Sequence, residues 1–232
     1  MIKAAIFWSG GKDSALCLDE IMQSSEYQVA YLVTFFSGEP CLVSTHGIRV
    51  ELLRKQAGAI GIPLKEIYVK NSTNAEYEFE FGKVMEELKS EEIHHVIFGD
   101  IFLEEIKSYR ESLLADNWMK GVFPLWKKNT EFLLQIFLTR GYKAITCCVN
   151  SAFLDQSFAG IRLDFFSRKW LPSSIDVSGE NGEYHTFVFD GPFFKNEVKF
   201  KRGEKVFRPL EIKLSNLALE KIGYWFIDLI PV

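Results

Sequence analysis

Hydrophobic and polar residues alternate with two different periods along the first hundred residues. Runs rich in β-branched and aromatic residues, such as Tyr27 to Phe36, are typical of buried strands. Between residues 50 and 61, Leu53, Ala57 and Ile60 recur on one helical stripe that Gly61 ends. The pattern predicts strands over residues 2–8, 27–36, 64–69 and 95–98, and helices over residues 15–22, 50–61 and 71–90, the last capped by Ser72, Thr73 or Asn74.

Strands that alternate with helices at this spacing predict an α/β fold, a parallel sheet with helices on both faces. That rhythm ends near residues 120–125, so we expect two domains, 1–122 and 123–232, the second a smaller C-terminal α+β domain. The elements expected beyond residue 100 are a helix over 101–118, an extended piece over 122–126, a helix over 129–140, a strand over 143–149, a loop over 153–170 leading into a short helix, a strand over 184–189, and an antiparallel pair over 197–208 continued by 210–214.

Composition narrows the class of protein without identifying it. The 232 residues are 47% hydrophobic and 25% charged, which is an ordinary globular balance, and the net charge of −4 argues against a broad nucleic-acid-binding face. No apolar run is long enough to predict a membrane span. The four cysteines, Cys17, Cys41, Cys147 and Cys148, form no Cys-x-x-Cys pair, so we expect a reduced, cytoplasmic protein without a cysteine metal site.

A glycine-containing stretch between the first strand and the first helix carries the clearest chemistry. Backbone N–H groups at such a junction point at one spot, where the helix dipole also favours an anion. Lys12 adds a mobile cation, and Asp13 is suited to hold a magnesium ion that bridges phosphate oxygens. We therefore predict a phosphate-binding loop made of Ser9, Gly10, Gly11, Lys12, Asp13 and Ser14.

Two common phosphate-binding motifs do not describe this loop. The Walker pattern requires a glycine where Ile6 stands and a serine or threonine where Asp13 follows the lysine. The dinucleotide fingerprint requires a third glycine that residues 12–14 do not supply. An ordinary glycine turn is the structural alternative, but the strand before the loop and the helix after it favour phosphate binding.

Two further segments are expected to reach the same edge of the sheet. Ligands of open α/β sheets bind beyond the carboxyl ends of the strands, where the strand order reverses. The stretch from Ser37 to His46 follows the second predicted strand, and Gly99 and Asp100 follow the fourth. We predict that Ser37, His46 and Gly99 contribute to the nucleotide site, although His46 is equally suited to cap a helix.

The loop resembles the PP-loop of N-type ATP pyrophosphatases, and the order of segments resembles the diphthine–ammonia ligase family of PP-loop ATPases, including its small prokaryotic members. The matching strings include His46-Gly47, Gly99-Asp100-Ile101, Arg110, Pro124-Leu125-Trp126, Gly141-Tyr142-Lys143-Ala144, Gly160-Ile161-Arg162-Leu163-Asp164, Gly179-Glu180-Asn181-Gly182-Glu183-Tyr184-His185-Thr186-Phe187 and Asp190-Gly191-Pro192. His185 stands where relatives often have an acidic residue. The resemblance implies a HUP-like parallel sheet and an ATP-dependent ligase.

The reaction that this resemblance implies is amidation through an acyl adenylate. A substrate carboxylate attacks the α-phosphate of ATP, pyrophosphate leaves, and ammonia displaces AMP; in eukaryotic and archaeal members the carboxylate belongs to a modified histidine on elongation factor 2. The sequence leaves the carboxylate, the amine source and the oligomeric state open, a homo-oligomer included.

Roles for individual residues follow from the same resemblance. Asp13 and Asp100 are the candidate Mg²⁺ ligands, with a helix cap as the alternative for Asp100. Arg110 is a candidate clamp for a phosphate or carboxylate, or a solvated charge. The residues expected to orient ammonium or take its proton are Glu180, Glu183 and His185, and the two glutamates are equally suited to cap a turn.

Two other functions remain open at the level of sequence. The first is tRNA modification by a PP-loop protein, which paired cysteines and a basic surface would favour. The second is a nucleotide-binding module without turnover. The retained Lys12, Asp13 and both loop serines favour an active enzyme.

Overall fold

The first half of the chain forms a six-stranded sheet. The computed structural model describes residues 1–37, 42–43, 46–70, 73–164, 171–209 and 222–232. Neighbouring strands of this sheet run parallel, except that the two-residue β3 is antiparallel to β2. The strands are β1 (Ile2–Phe7), β2 (Tyr27–Ser37), β3 (Leu42–Val43), β4 (Leu64–Val69), β5 (His95–Ile97) and β6 (Lys120–Val122).

Strand order in this sheet reverses beside β1. The chain passes from β1 to β2 and then to β4 on one side, and returns to place β5 and β6 on the other side of β1. A crevice opens at such a reversal, at the carboxyl ends of the strands. The loops after β1 and β5, which begin at Trp8 and Phe98, therefore start side by side, as the pattern predicted.

Helices cover both faces of the sheet, which confirms the predicted fold class. Alternate residues of a strand face opposite sides. Accordingly, Ala4 and Ile6 belong to one buried cluster, whereas Ala5 belongs to another. The first cluster includes apolar residues of α1 (Lys12–Ser24) and α2 (Val50–Ile60), and the second includes those of α3 (Asn74–Ser90) and α4 (Glu104–Asp116).

Helix boundaries follow local capping chemistry. The side chain of Thr73 accepts a hydrogen bond from the amide of Glu76 and starts α3, while Ser72 lies outside the described residues. The amide of Gly61 donates to the carbonyl of Ala57 at 2.8 Å and ends α2. Both predicted ends are thereby confirmed.

The second half is built on an antiparallel sheet that shares its core with the first. Buried Ile145 and Phe187 belong to the same cluster as Leu16 and Leu53 of the first half. The described elements are α5 (Thr130–Thr139), β7 (Lys143–Asn150), a 3-10 helix (Gln156–Phe158), β8 (Arg162–Leu163), β9 (Tyr184–Asp190), β10 (Phe200–Pro209) and β11 (Gly223–Pro231), and β7 pairs with β8, β9 and β11.

Three of the predicted elements are wrong. The short helix expected after the 153–170 loop is absent, because residues 171–183 form turns that lead into β9, and the loop itself contains the 3-10 helix and β8. The extended piece expected over residues 122–126 lies at Lys120–Val122, because β6 pairs there with β5, and Pro124, which has no N–H to donate, opens a turn instead. The antiparallel pair expected over 197–208 is the single strand β10, whose partner is the later strand β11. The predicted continuation over 210–214 lies outside the described residues, as do residues 165–170, where the loop was expected to end.

Candidate nucleotide-binding and active site

A cavity of about 690 Å³ opens where the strand order reverses. This volume lies within the range usual for small-molecule sites. Both halves of the chain line it: the phosphate loop, Val33 to Phe35 of β2 and the loop after β5 on one side, and residues 179–182 and 184–186 on the other. The predicted site residues on its wall are Ser9, Lys12, Asp13, Ser14, His46, Gly99, Asp100, Arg110, Glu180 and His185.

The glycines of the loop permit close packing around its backbone. Gly10 has a φ of +80°, which disfavours any residue with a Cβ. A Cβ on Gly11 would lie 3.1 Å from both Nε2 of His46 and the carbonyl oxygen of Thr186. At Gly11 the loop therefore packs so closely between the His46 segment and β9 that a side chain would require its neighbours to shift.

Side-chain hydroxyls accept hydrogen bonds from two amides of the loop. The Gly11 amide donates to Oγ of Ser9 at 3.2 Å, and the Lys12 amide donates to Oγ1 of Thr186 at 3.0 Å. Asp13 and Ser14 lie in the first turn of α1, where amides have no acceptor within the helix. The loop can thus present several N–H groups to a phosphate once the hydroxyls rotate away.

Lys12 is the central cation of the cavity. Its side chain is only 4% exposed, and Nζ lies 2.7 Å from Oδ1 of Asp13 and 3.3 Å from Oε1 of Glu180. Burial opposes the positive charge, but Asp13 and Glu180 outweigh this effect and raise the pKa of Lys12. The amine is therefore a permanent cation in the site.

Asp100 sits close to the start of α1. A Cβ on Gly99 would lie 3.0 Å from the carbonyl oxygen of Asp13, so the end of β5 and the loop are in direct contact. Oδ2 of Asp100 lies 2.9 Å from Nη1 of Arg110, yet this buried oxygen accepts no well-aligned hydrogen bond from the described residues. Burial, partly offset by Arg110, raises the pKa of Asp100. Its oxygen is suited to take a further cationic partner.

Two histidines face each other across the boundary between the halves. The ring centroids of His46 and His185 are 4.6 Å apart. Burial and the charge of Lys12 lower the pKa of His185 to about 4. Burial, His185 and Lys12 likewise lower the pKa of His46. Both rings are neutral near pH 7, so each is able to accept a hydrogen bond.

Glu180 and Glu183 differ in what they face. Glu180 lines the cavity, where burial and the nearby Asp13 raise its pKa against the opposing effect of Lys12. Glu183 is 1% exposed, and its carboxylate accepts hydrogen bonds from the amides of Asp176 and Asn181 at 2.9 and 2.8 Å. Glu183 therefore holds the turn together and is not on the cavity wall.

Ser37 also lies off the cavity wall. It ends β2, where it pairs with Leu42 of β3 and Val69 of β4. The part of β2 that lines the cavity comes two to four residues earlier, at Val33, Thr34 and Phe35.

Sequence reasoning missed Gln56 and Thr186, which hold the phosphate loop in place through hydrogen bonds with its backbone. Gln56, which is fully buried, accepts a hydrogen bond from Nε1 of Trp8 and donates to the carbonyls of Gly10 and Val188. Its sequence signal was a polar residue on the apolar stripe of α2. Thr186 had no comparable signal, because its contact with Lys12 joins positions 174 residues apart.

Some functional features are absent from the described part of the chain. There, no group of three or more His, Cys, Asp or Glu side chains forms a metal cluster. Nor do the described helices include one that is long and apolar enough to cross a membrane.

Comparison with known proteins identifies relatives of both halves. Residues 2–121 match the family described as diphthamide synthase N-terminal domain, and residues 129–215 match diphthamide synthase C-terminal domain. The chain is 25% identical to diphthine–ammonia ligase of Mus musculus over 251 aligned positions, covering 95% of this chain and 93% of the mouse protein. The same enzyme of Bos taurus is 24% identical, with coverages of 88% and 85%, and that of Rattus norvegicus is 30% identical, with coverages of 62% and 57%.

Proposed function

The chain belongs to the diphthine–ammonia ligase family and is an enzyme of the ligase type, and from this we propose that it uses ATP to convert a carboxylate to an amide through an acyl adenylate. The observation that carries the proposal is the shared cavity. It joins a phosphate-binding loop in one half to a polar, glutamate-containing segment in the other. A nucleotide and an acceptor carboxylate therefore have room to meet.

The phosphates of ATP are assigned to the loop and the first turn of α1. The amides of residues 11–14 and the charge of Lys12 stabilise the negative charge that builds on departing pyrophosphate. Val33, Phe35, Tyr77 and Ile106 line the same cavity and offer an apolar surface to the adenine base.

Magnesium fits the carboxylates at this site. Mg²⁺ is usually held by one or two carboxylates together with substrate phosphates rather than by an all-protein cage. Asp13 and Asp100 line one cavity, and Oδ2 of Asp100 accepts no well-aligned hydrogen bond within the described residues. The metal would neutralise charge on the phosphates when bound.

The remaining partners are assigned to the wall formed by the second half. The named relatives act on diphthine and ammonia. We assign to this chain the carboxylate of diphthine, a modified histidine on elongation factor 2, and ammonia as the amine. Glu180 and His185 face the cavity and can contact the amine, whereas Glu183 positions Glu180 through the turn.

The broader assignments rest on simpler observations. Cys17, Cys147 and Cys148 are buried free thiols, which supports a reducing, cytoplasmic compartment. The two family matches, over 2–121 and 129–215, support a division into domains 1–122 and 123–232.

An oxygen-18 experiment tests the proposed mechanism. The protein is incubated with ATP, Mg²⁺, ammonium chloride and elongation factor 2 whose diphthine carboxylate carries oxygen-18. We expect AMP and pyrophosphate in equal amounts, one labelled oxygen in AMP, and an amide on the factor by mass spectrometry. Label in orthophosphate together with ADP would contradict an acyl adenylate. Binding of ATP without AMP formation would instead indicate a nucleotide-binding module.

A further inference from the structure

The cavity already contains one ammonium group, which belongs to a side chain of the protein. It is Nζ of Lys12, which lies 2.7 Å from Oδ1 of Asp13, 3.3 Å from Oε1 of Glu180 and 5.8 Å from the centroid of the Tyr184 ring. A carboxylate beside the face of an aromatic ring is a combination that favours small cations. The surroundings of Nζ therefore show what a primary ammonium meets there.

Lys12 contacts both Asp13 and Glu180, and phosphate oxygens would compete with these two carboxylates for its three N–H donors. The phosphate loop directs Lys12 towards the phosphates, and a lysine ammonium is a compact charge on a flexible stem that can follow them. Glu180, which is 11% exposed, would then be a buried carboxylate that has lost its cation and faces phosphate charge. Such a charge is strongly unfavourable, so the carboxyl group must either take up a proton or gain another cation.

The turn that carries Glu180 is built to stay in place when Lys12 moves. The amide of Glu180 donates to Oδ1 of Asp176 at 3.3 Å, and Oε1 of Glu183 accepts from the amide of Asp176 at 2.9 Å. These contacts do not involve Lys12. The backbone of Glu180 is therefore held independently of the lysine, and its carboxylate stays within reach of the position that Nζ leaves.

We propose that the position vacated by Nζ of Lys12, between Glu180 and Tyr184, binds the ammonium ion that supplies the amine. The inference rests on the proposed function, because it takes ammonia as the amine. It also sets an order: the nucleotide binds first and withdraws Lys12, and only then does ammonium find its site open. Glu180 is a binding residue for the co-substrate in this scheme.

Thallium(I), a heavy monovalent cation of similar size, tests the site without any turnover. Crystals of the protein are soaked in thallium acetate with and without a non-hydrolysable ATP analogue and Mg²⁺. We expect an anomalous peak beside Oε1 of Glu180 in the nucleotide-bound crystals alone, and none there in Glu180→Gln. Three results would overturn the proposal: a peak that appears both with and without the nucleotide, a peak that persists in Glu180→Gln, or thallium bound only at other positions.

Kinetics separate this inference from the proposed function. In Glu180→Gln we expect the KM for ammonium to rise by at least about tenfold, a loss of about 1.4 kcal/mol in binding, with no weakening of ATP binding. For Glu180→Asp we expect a KM for ammonium between that of the unaltered protein and that of Glu180→Gln. Glu105→Gln, which neutralises an exposed glutamate outside the cavity, is the matched control and should leave both constants unchanged.

The two possible failures give different results. If the unaltered protein forms no AMP with the labelled factor, the proposed function fails, and the thallium soak still reports on the cation site. If AMP forms normally but Glu180→Gln has an unchanged KM for ammonium, the ammonium site is wrong and the ligase assignment stands.

Discussion

The phosphate loop and the Gly179–Thr186 segment lie on facing walls of one cavity, yet they depend on the fold in opposite ways. The loop is a local structure: one strand, two glycines and the start of one helix, all between Ile2 and Ser14, place its groups. The other segment is placed by β9, whose Val188 amide donates to the carbonyl of Gly10 at 2.9 Å. One wall is thus encoded locally, and the other exists only when both sheets pack together.

This difference predicts how the two walls respond to substitution. Groups on the loop contact the nucleotide, so their loss should reduce pyrophosphate release directly. Groups on the opposite wall hold the amine or the loop backbone, so their loss should change one binding constant or the stability and leave adenylation largely intact.

Lys12→Ala should have the largest effect. Removing the one lysine of the loop takes away charge stabilisation of the departing pyrophosphate, and we expect pyrophosphate release to fall by about 1,000-fold. The measurement is a coupled pyrophosphate assay, with circular dichroism to show that the fold is intact. Lys3→Ala, at an exposed position at the start of β1, is the matched control. Retained turnover in Lys12→Ala would refute the role given to the loop.

Asp100→Asn should have the second largest effect. The variant keeps the shape of the side chain but removes a proposed Mg²⁺ ligand, so turnover should fall by about 100-fold and require more Mg²⁺. Because the site raises the pKa of Asp100, its charged form is disfavoured there, and the neutral amide should not reduce stability. A magnesium titration and urea unfolding measure the two effects.

The control for Asp100→Asn is the same change at Asp116, an exposed residue at the end of α4. It should alter neither the magnesium dependence nor the stability. A loss of stability in Asp100→Asn with normal magnesium dependence would make Asp100 a structural residue.

Local chemistry explains which parts of the fold were predictable. Strand β4 was predicted over Leu64–Val69 as observed, because Gly61 and Pro63 precede a short segment that contains the β-favouring residues Ile67, Tyr68 and Val69. The pairing of β10 with β11 was not predicted. Alternation along β10 identifies a half-exposed strand but does not identify its partner, which follows beyond residues 210–221.

The same reasoning applies to the site. Asp100 was predictable because the strand order places the ends of β1 and β5 together. Glu183 was grouped with Glu180 because the two flank Gly182, and only the structure shows that Glu183 accepts amides of its own turn. Gln56 and Thr186 act on the loop from distant positions, so periodicity along α2 or β9 alone does not reveal their role.

His185→Gln tests the wall opposite the loop through the pH dependence of the protein's stability. The pKa of His185 is lowered to about 4 in the folded chain, from 6.5 for the free side chain, so the folded state binds fewer protons between these values. The contribution of the neutral ring to stability is fully present above pH 6.5 and is lost as the pH falls towards 4. The free energy of unfolding falls by at most about 3 kcal/mol over this range. The variant should flatten this dependence in urea unfolding at pH 5 and 7.

Two features keep the His185 experiment interpretable. His46 and Lys12 remain in His185→Gln, so part of the acid destabilisation should persist. His94→Gln, at an exposed position, should leave the pH dependence unchanged. Equal slopes in His185→Gln and the unaltered protein would contradict a neutral, buried ring.

Thr186→Val should have the smallest effect and addresses the contact between the two walls. The valine has the same shape but removes the acceptor of the Lys12 amide, which should lower the free energy of unfolding by about 1 kcal/mol without ligand. A phosphate that takes the same amide would restore the lost bond, so ATP should bind the variant no less tightly and stabilise it more. Urea unfolding with and without ATP measures both effects, and Thr139→Val on the exposed side of α5 is the control. If ATP restores none of the lost stability, the Lys12 amide is not part of the phosphate site, and the second half then positions the loop without yielding a donor to the nucleotide.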